Sequence, residues 1–175
     1  MNFTKVLKQL SEFLEGRKYP YAVIGGVGLA GYGMPRATVD LDLVLDASAQ
    51  PEMIAFLESL GYETLHRSTG YSNHQHKEPE MGSVDLVYVR DETSRRVFDA
   101  TRVLQGPGGL KIPIPSAEHL IAMKVVAMKN DPSRTYQDLA DIRFLLTLDH
   151  VDRESVRAQF EKHGLLERYH ELEAS

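Results

Sequence analysis

YAVIGGVGLAGYGMPRATVDLDLVLD, residues 21–46, opens on an apolar run, Tyr21 to Ile24, that stops at Gly25 and Gly26. Val27 to Tyr32 is again apolar but contains Gly28 and Gly31, the composition of a closely packed helix, so the order reads strand, glycine turn, helix. From Val39 to Asp46 the acids Asp40 and Asp42 alternate with Val39, Leu41 and Leu43. That is the period of a strand, and it puts both carboxylates on one face. At that spacing they lie roughly 6 to 7 Å apart and repel by on the order of 2 to 3 kcal/mol at an effective dielectric near 20. Such a pair calls for a cation. Magnesium fits, because it takes hard carboxylate oxygens and keeps positions for water and substrate phosphates. A lone Asp-x-Asp more often just faces water; here the glycine pair upstream, with Arg36 and Thr38 just before the acids, shifts the balance toward a site.

Outward from this stretch, Phe3, Val6, Leu7, Leu10, Phe13 and Leu14 recur at helical spacing and predict an amphipathic helix. Pro51 to Leu60 predicts a second helix, opened by Pro51 and closed by Gly61, and Tyr62 to His66 a strand. Tyr71 to Met81 is polar and reads as a loop, with His74 and His76 exposed. They share the spacing of a strand-borne metal pair, but no third ligand accompanies them. Ser83 to Val89 is a β-branched run with Asp85 inside it and predicts a strand. Val97 to Leu104 is ambiguous. Leu110 to Ile114 ends at Pro115 as an edge strand would. Ser116 then caps a helix running to about Asn130, and Tyr136 to Leu148, Ser155 to His163 and Leu165 to Leu172 continue in helices broken at Gly164. These elements predict an α/β (α+β) fold: a mixed β-sheet flanked by helices over residues 1–115, and a helical C-terminal part over residues 116–175 packing on it.

The 175 residues suffice for a real core, and 42% hydrophobic with 26% charged residues is ordinary for a globular protein. No cysteine is present, which excludes disulfide frameworks, thiolate zinc sites and cysteine nucleophiles and suits a cytoplasmic location. No apolar run has the length of a signal peptide core or a membrane span. The formal charge of −5 argues against a nonspecific grip on phosphate backbones. Arg95, Arg96 and Arg102 therefore read as a solvated face rather than an RNA-binding surface.

Gly25-Gly26, the apolar stretch after it and Asp40-Leu41-Asp42, with Asp85 in Val84-Asp85-Leu86-Val87, resemble the nucleotidyltransferase superfamily of polymerase β-like fold. Its members include the tRNA CCA-adding enzymes and the AbiEii-like toxins of toxin–antitoxin systems. The C-terminal half brings the resemblance closest to the AbiEii-like branch, through Lys124 in an otherwise apolar helix and Arg134, Asp138 and Asp141 in the next. Gln137 stands where that pattern has a Lys. The resemblance implies a metal-dependent enzyme that moves a nucleoside monophosphate from a nucleoside triphosphate, such as ATP, to an acceptor hydroxyl, with release of pyrophosphate. It assigns catalysis to Asp40, Asp42, Asp85 and Lys124, and Mg2+ (or Mn2+) ligation to Asp40, Asp42 and Asp85, with Asp85 also helping to deprotonate the acceptor. It assigns nucleotide binding to Gly25, Gly26, Arg36, Thr38, Arg134 and Asp138. The glycines would let backbone N–H groups approach the triphosphate. Lys124 would need an anionic partner, either the triphosphate or an aspartate of the next helix.

A tRNA end, a protein hydroxyl and a small molecule such as an aminoglycoside all qualify as acceptor. Modification of tRNA by a toxin with a cognate antitoxin protein is the first expectation. The alternatives are a non-catalytic nucleotide-binding module of the same fold acting as a regulator or partner, against which the three intact acids argue, and an antitoxin-like structural partner that binds no nucleotide.

Overall fold

The computed structural model describes residues 1–34 and 37–174, which form two compact units, Met1–Pro115 and Ser116–Ser175. In the first unit the order is α1 (Phe3–Gly16), β1 (Tyr21–Val23), α2 (Gly25–Ala30), β2 (Asp40–Asp46), α3 (Gln50–Ser59), β3 (Tyr62–Arg67), β4 (Tyr71–His76), β5 (Ser83–Val89), α4 (Asp91–Asp99), β6 (Arg102–Gln105) and β7 (Lys111–Ile114). The main sheet is ordered β1-β2-β5-β4-β3, and β6 and β7 form a separate two-stranded ribbon. The sheet is mixed: β2 and β5 run parallel, and every other pairing is antiparallel.

Alternation along the strands divides the residues of this sheet between two faces. Leu41, Leu43, Leu45, Val84, Leu86 and Tyr88 point to one face and are buried, as are Met53, Ile54 and Leu57 of α3 and Val6, Leu7, Leu10 and Leu14 of α1. The two helices meet where the Phe13 and Phe56 rings stack at 4.0 Å. Asp40, Asp42, Ser83, Asp85 and Asn73 project from the opposite face and are only half-buried. The first helix is capped by Asn2, whose side chain accepts from the Lys5 amide at 3.1 Å.

Two expectations need correction, and a third stretch, ambiguous in sequence, is resolved. Residues 71–76 are not a loop but the strand β4, paired with β5 on one side and β3 on the other. Its polar side chains are satisfied inside the sheet. The Ser72 hydroxyl bonds Tyr88 Oη at 2.7 Å and His74 Nε2 at 2.8 Å, and Thr64 Oγ1 meets His74 Nδ1 at 3.1 Å. His74 is accordingly fully buried rather than exposed. His76 is half-buried, its Nε2 bonded to the Leu60 carbonyl at 3.1 Å and its Nδ1 accepting from the Glu78 amide at 2.9 Å. All four ring nitrogens have protein partners, so the pair is structural. Secondly, the helix expected after the glycine turn begins at Gly25 itself. Thirdly, residues 97–104 hold both a helix end and a strand: the Thr101 hydroxyl donates to the Phe98 carbonyl at 2.9 Å where α4 stops, and β6 follows.

The second unit is helical: α5 (Ala117–Asn130), α6 (Thr135–Leu145), α7 (Arg153–Lys162) and α8 (Leu166–Glu173). Ser116 caps α5, and Asp152 caps α7 by accepting from the Glu154 and Ser155 amides at 3.0 and 3.1 Å. Leu120, Ile121, Val125, Ile142, Leu145 and Phe160 are among its buried side chains. Helix α6 ends three residues earlier than its apolar pattern suggests, because the Thr147 hydroxyl takes the Phe144 carbonyl at 2.7 Å and the chain tightens into a turn. Among the described residues no helix is long and apolar enough to cross a membrane.

Candidate active site

The parallel register of β2 and β5 sets Asp42 directly opposite Asp85, with Asp40 one pleat away on the same face, opposite Ser83. Ligand oxygens of the three carboxylates lie within 4.8 Å of one another. At that separation each charged pair repels by about 3 kcal/mol for an effective dielectric near 20. A hard divalent cation offsets this repulsion, and three carboxylates are the donor set such a cation takes. The residues therefore fit Mg2+ or Mn2+.

Each acid is held by a different device. Thr38, in the segment leading into β2, donates its hydroxyl to Asp40 Oδ1 at 2.5 Å. Asp42 lies against Gly25: a β-carbon there would fall 1.9 Å from Asp42 Oδ2, and the φ of +58° is one that side chains other than glycine's rarely adopt. Gly26 plays the same part for Thr38, whose Cβ would lie 2.8 Å from an added β-carbon. The glycine pair thus makes room for the acids and for the threonine that steadies one of them. The backbone ties the same elements together, the Ile24 amide donating to the Asp42 carbonyl at 2.9 Å.

Asp85 is held from β4. Asn73, its register partner, donates from Nδ2 to Asp85 Oδ1, and the Tyr71 phenol lies close enough to feel the Asp85 charge. Burial, together with the negative charges of Asp85 and Asp42, pushes the Tyr71 phenol up to about 12, so it remains a donor at neutral pH. Neither Asn73 nor Tyr71 is singled out by sequence reasoning. The signal was the polar alternation of residues 71–76, read above as a loop.

In the second unit, Lys124 Nζ lies 3.0 Å from Asp138 Oδ1 and 2.5 Å from Asp141 Oδ2, and Arg134 Nε lies 3.3 Å from Asp138 Oδ2. The Asp138 and Asp141 side chains are 1% and 3% exposed, Lys124 12% and Arg134 54%. Of the two partners considered for Lys124, the aspartates of the next helix are the ones present here, Asp141 included. Gly25, Gly26, Thr38, Asp40, Asp42 and Asp85 thus come together in the first unit, and Lys124, Arg134 and Asp138 in the second. Arg36 lies outside the described residues.

Among solved structures, the antibiotic-resistance factor ANT(2'')-Ia matches with a TM-score of 0.66 and 17% identity, over 98% of this chain and 99% of its own. An antigenic nucleotidyltransferase-like protein from Paracoccidioides brasiliensis matches at 0.61 and 17% identity over 99% and 91%. The lincosamide antibiotic adenylyltransferase LnuA matches at 0.53 and 22% identity over 81% and 94%. At these identities the likeness establishes the fold, which is that of the nucleotidyltransferases. No curated protein matches the chain by sequence. The family model described as nucleotidyl transferase AbiEii toxin, type IV toxin–antitoxin system, matches residues 6–174, and the chain belongs to that family. It is a nucleotidyltransferase.

Proposed function

We propose that this enzyme is metal-dependent and transfers a nucleoside monophosphate to the hydroxyl of a tRNA end, acting as the toxin of a cognate pair. The observation that carries the metal dependence is the convergence of Asp40, Asp42 and Asp85 from two parallel strands, a cluster whose mutual repulsion a divalent cation relieves. Magnesium or manganese, when bound, would neutralise phosphate charge and acidify the acceptor hydroxyl. Asp40 and Asp42 would be its ligands on β2, and Asp85 would serve both as ligand and as acceptor of the hydroxyl proton. The acceptor oxygen then bonds to the α-phosphorus, the bond from that phosphorus to the bridging oxygen breaks, and pyrophosphate leaves.

Gly25, Gly26 and Thr38 serve this reading first by packing the acids, and the glycine amides are proposed to face the triphosphate. Lys124, Arg134 and Asp138 are proposed to act on the nucleotide, with Lys124 countering phosphate charge. Support for this comes from the family match, which spans both units, and from the way two buried aspartates orient the Lys124 ammonium. The tRNA acceptor and an antitoxin partner rest on the toxin family alone.

The test is incubation with each labelled triphosphate, magnesium and total RNA. Label should enter tRNA, with chelator or the Asp40→Ala, Asp42→Ala double variant abolishing it. Transfer by that double variant at the normal rate overturns the metal site. Label that enters added protein or aminoglycoside and never RNA overturns the tRNA acceptor.

A further inference from the structure

One cross-strand row on the site face runs Asp42, Asp85, Asn73, His66, each the register partner of the next. The first two are the acids of the proposed metal site. The next two belong to β4 and β3, to which neither the family match nor the sequence pattern gives a role. We propose that Asn73 is a positioning residue that clamps the Asp85 carboxylate in its place beside Asp42 and Asp40, with the Tyr71 side chain packed beside it. The inference rests on the reading of Asp85 as a metal ligand.

The need for a clamp follows from the charges. Three carboxylates with oxygens this close repel, and before a cation arrives a carboxylate at the end of a rotatable side chain turns away from its like-charged neighbours. Asp40 is restrained by the Thr38 hydroxyl and Asp42 by the close wall of Gly25. Asp85 stands on another strand and receives a donor from β4 instead, the Asn73 side-chain amide. A carboxylate has about four acceptor positions, so the amide donor orients it and leaves it capacity for a cation.

The donor itself is fixed, and so is the tyrosine beside it. Asn73 lies mid-strand with neighbours paired on both sides. Tyr71 closes a tight turn in which its carbonyl accepts from the Ser68 amide at 2.8 Å and its amide donates to Ser68 Oγ at 3.1 Å. An irregularity in β3 between Thr64 and His66 shifts the register, so that Thr64 faces His74 in the core while His66 comes round to the site face. The His66 ring then lies 5.9 Å from the Tyr71 ring, tilted by 33°. Sheet, turn and bulge together fix an amide donor at one carboxylate and its aromatic neighbours around it, the arrangement by which outer partners orient metal ligands.

The test compares the whole chain with Asn73→Leu, Tyr71→Phe, both together, and Asp85→Asn. Mn2+ alone is titrated by electron paramagnetic resonance, and thermal unfolding is followed without metal. Asp85→Asn should weaken Mn2+ binding, and the double variant should weaken it about 10-fold or more. The metal-free unfolding midpoint of the double variant should stay level or rise, because a released Asp85 escapes its neighbours. In nucleotide transfer, the double variant should lose kcat with KM for the triphosphate changed less than about threefold. If Asp85→Asn weakens Mn2+ binding while Asn73→Leu with Tyr71→Phe stays within about twofold of the parent, the clamp is wrong and the metal site stands. A double variant that weakens Mn2+ binding but also melts several degrees lower without metal assigns the pair to folding and overturns the inference. Failure of the parent to bind Mn2+, or an unchanged Asp85→Asn, removes the metal reading and the clamp with it.

Discussion

An alanine at position 25 brings a β-carbon to 1.9 Å from Asp42 Oδ2, at a backbone φ of +58°. The left-handed conformation alone costs an alanine about 1 kcal/mol, and the displaced carboxylate adds to the loss of function. Gly25→Ala should therefore lower stability by about 1 to 3 kcal/mol in denaturant melts and sharply weaken Mn2+ binding. Gly33 supplies the control, with a φ of +90° and nothing within 4 Å of an added β-carbon. Gly33→Ala should show only the backbone cost, and equal losses of Mn2+ affinity in the two variants would contradict the packing role given to Gly25. At this scale the site was legible because its chemistry imposes unusual residues on a short segment: two glycines where a strand meets a helix, then two acids within an apolar strand. Asn73 escaped notice because an asparagine in a polar run has no meaning until the register of β4 against β5 is known.

Helices α5 and α6 show how burial separates two cations that look alike in sequence. Lys124 holds two aspartates that are almost wholly buried, whereas Arg134 is half-exposed. Removing one partner of a buried pair leaves an uncompensated charge and costs about 3 to 5 kcal/mol, while exposed pairs are worth about 0 to 1 kcal/mol. Lys124→Met should thus destabilise the helical unit by several times more than Arg134→Met, as read by chemical denaturation, and comparable effects would refute this division. A Lys in an apolar helix announces that it has a partner, which is why this pair was anticipated. Strand β4 gave no such notice, since hydrogen bonds rather than apolar side chains pack Ser72 and His74 into the core. Burial holds the His74 pKa below its ordinary 6.5, with the negative charge of Glu58 acting weakly against this. The unfolded chain consequently binds more protons than the folded one as pH falls through about 6.5. Stability is complete above that pH and declines below it, so the thermal midpoint should fall between pH 7 and pH 5. The fall should be smaller in His74→Gln, and parallel curves for the two proteins would show that His74 is not its source.

For the molecule as a whole, the metal site proposed at the acidic cluster would couple folding to metal. A cation at ten times its dissociation constant adds about 1.4 kcal/mol to the state that binds it, a rise of about 3 to 6 °C for a chain of this size. Mn2+ should produce that rise in the transition of residues 1–115. Asp42→Asn should abolish it while raising the metal-free midpoint, because one like charge has gone. A metal-free midpoint below that of the parent would argue that the acids do not strain the apo fold. The fold class was legible at this scale from the succession of periodicities. The strand order was not, because β5 seats itself against β2, a pairing distant in sequence, and that choice is made by the assembled core.

That placement has an outcome for how the enzyme can change. Strand β5 is locked by β2 on one edge and by β4 on the other, and successive residues point alternately to the core and to the acids. Losing one residue within it would swing Asp85 inward and turn Val84 or Leu86 onto the face that carries the acids. Residues 77–82, which belong to no strand or helix, can lengthen or shorten without that inversion. Variation in chain length is thus channelled into the connection, while the strand itself tolerates replacement of its letters but not a change in their number.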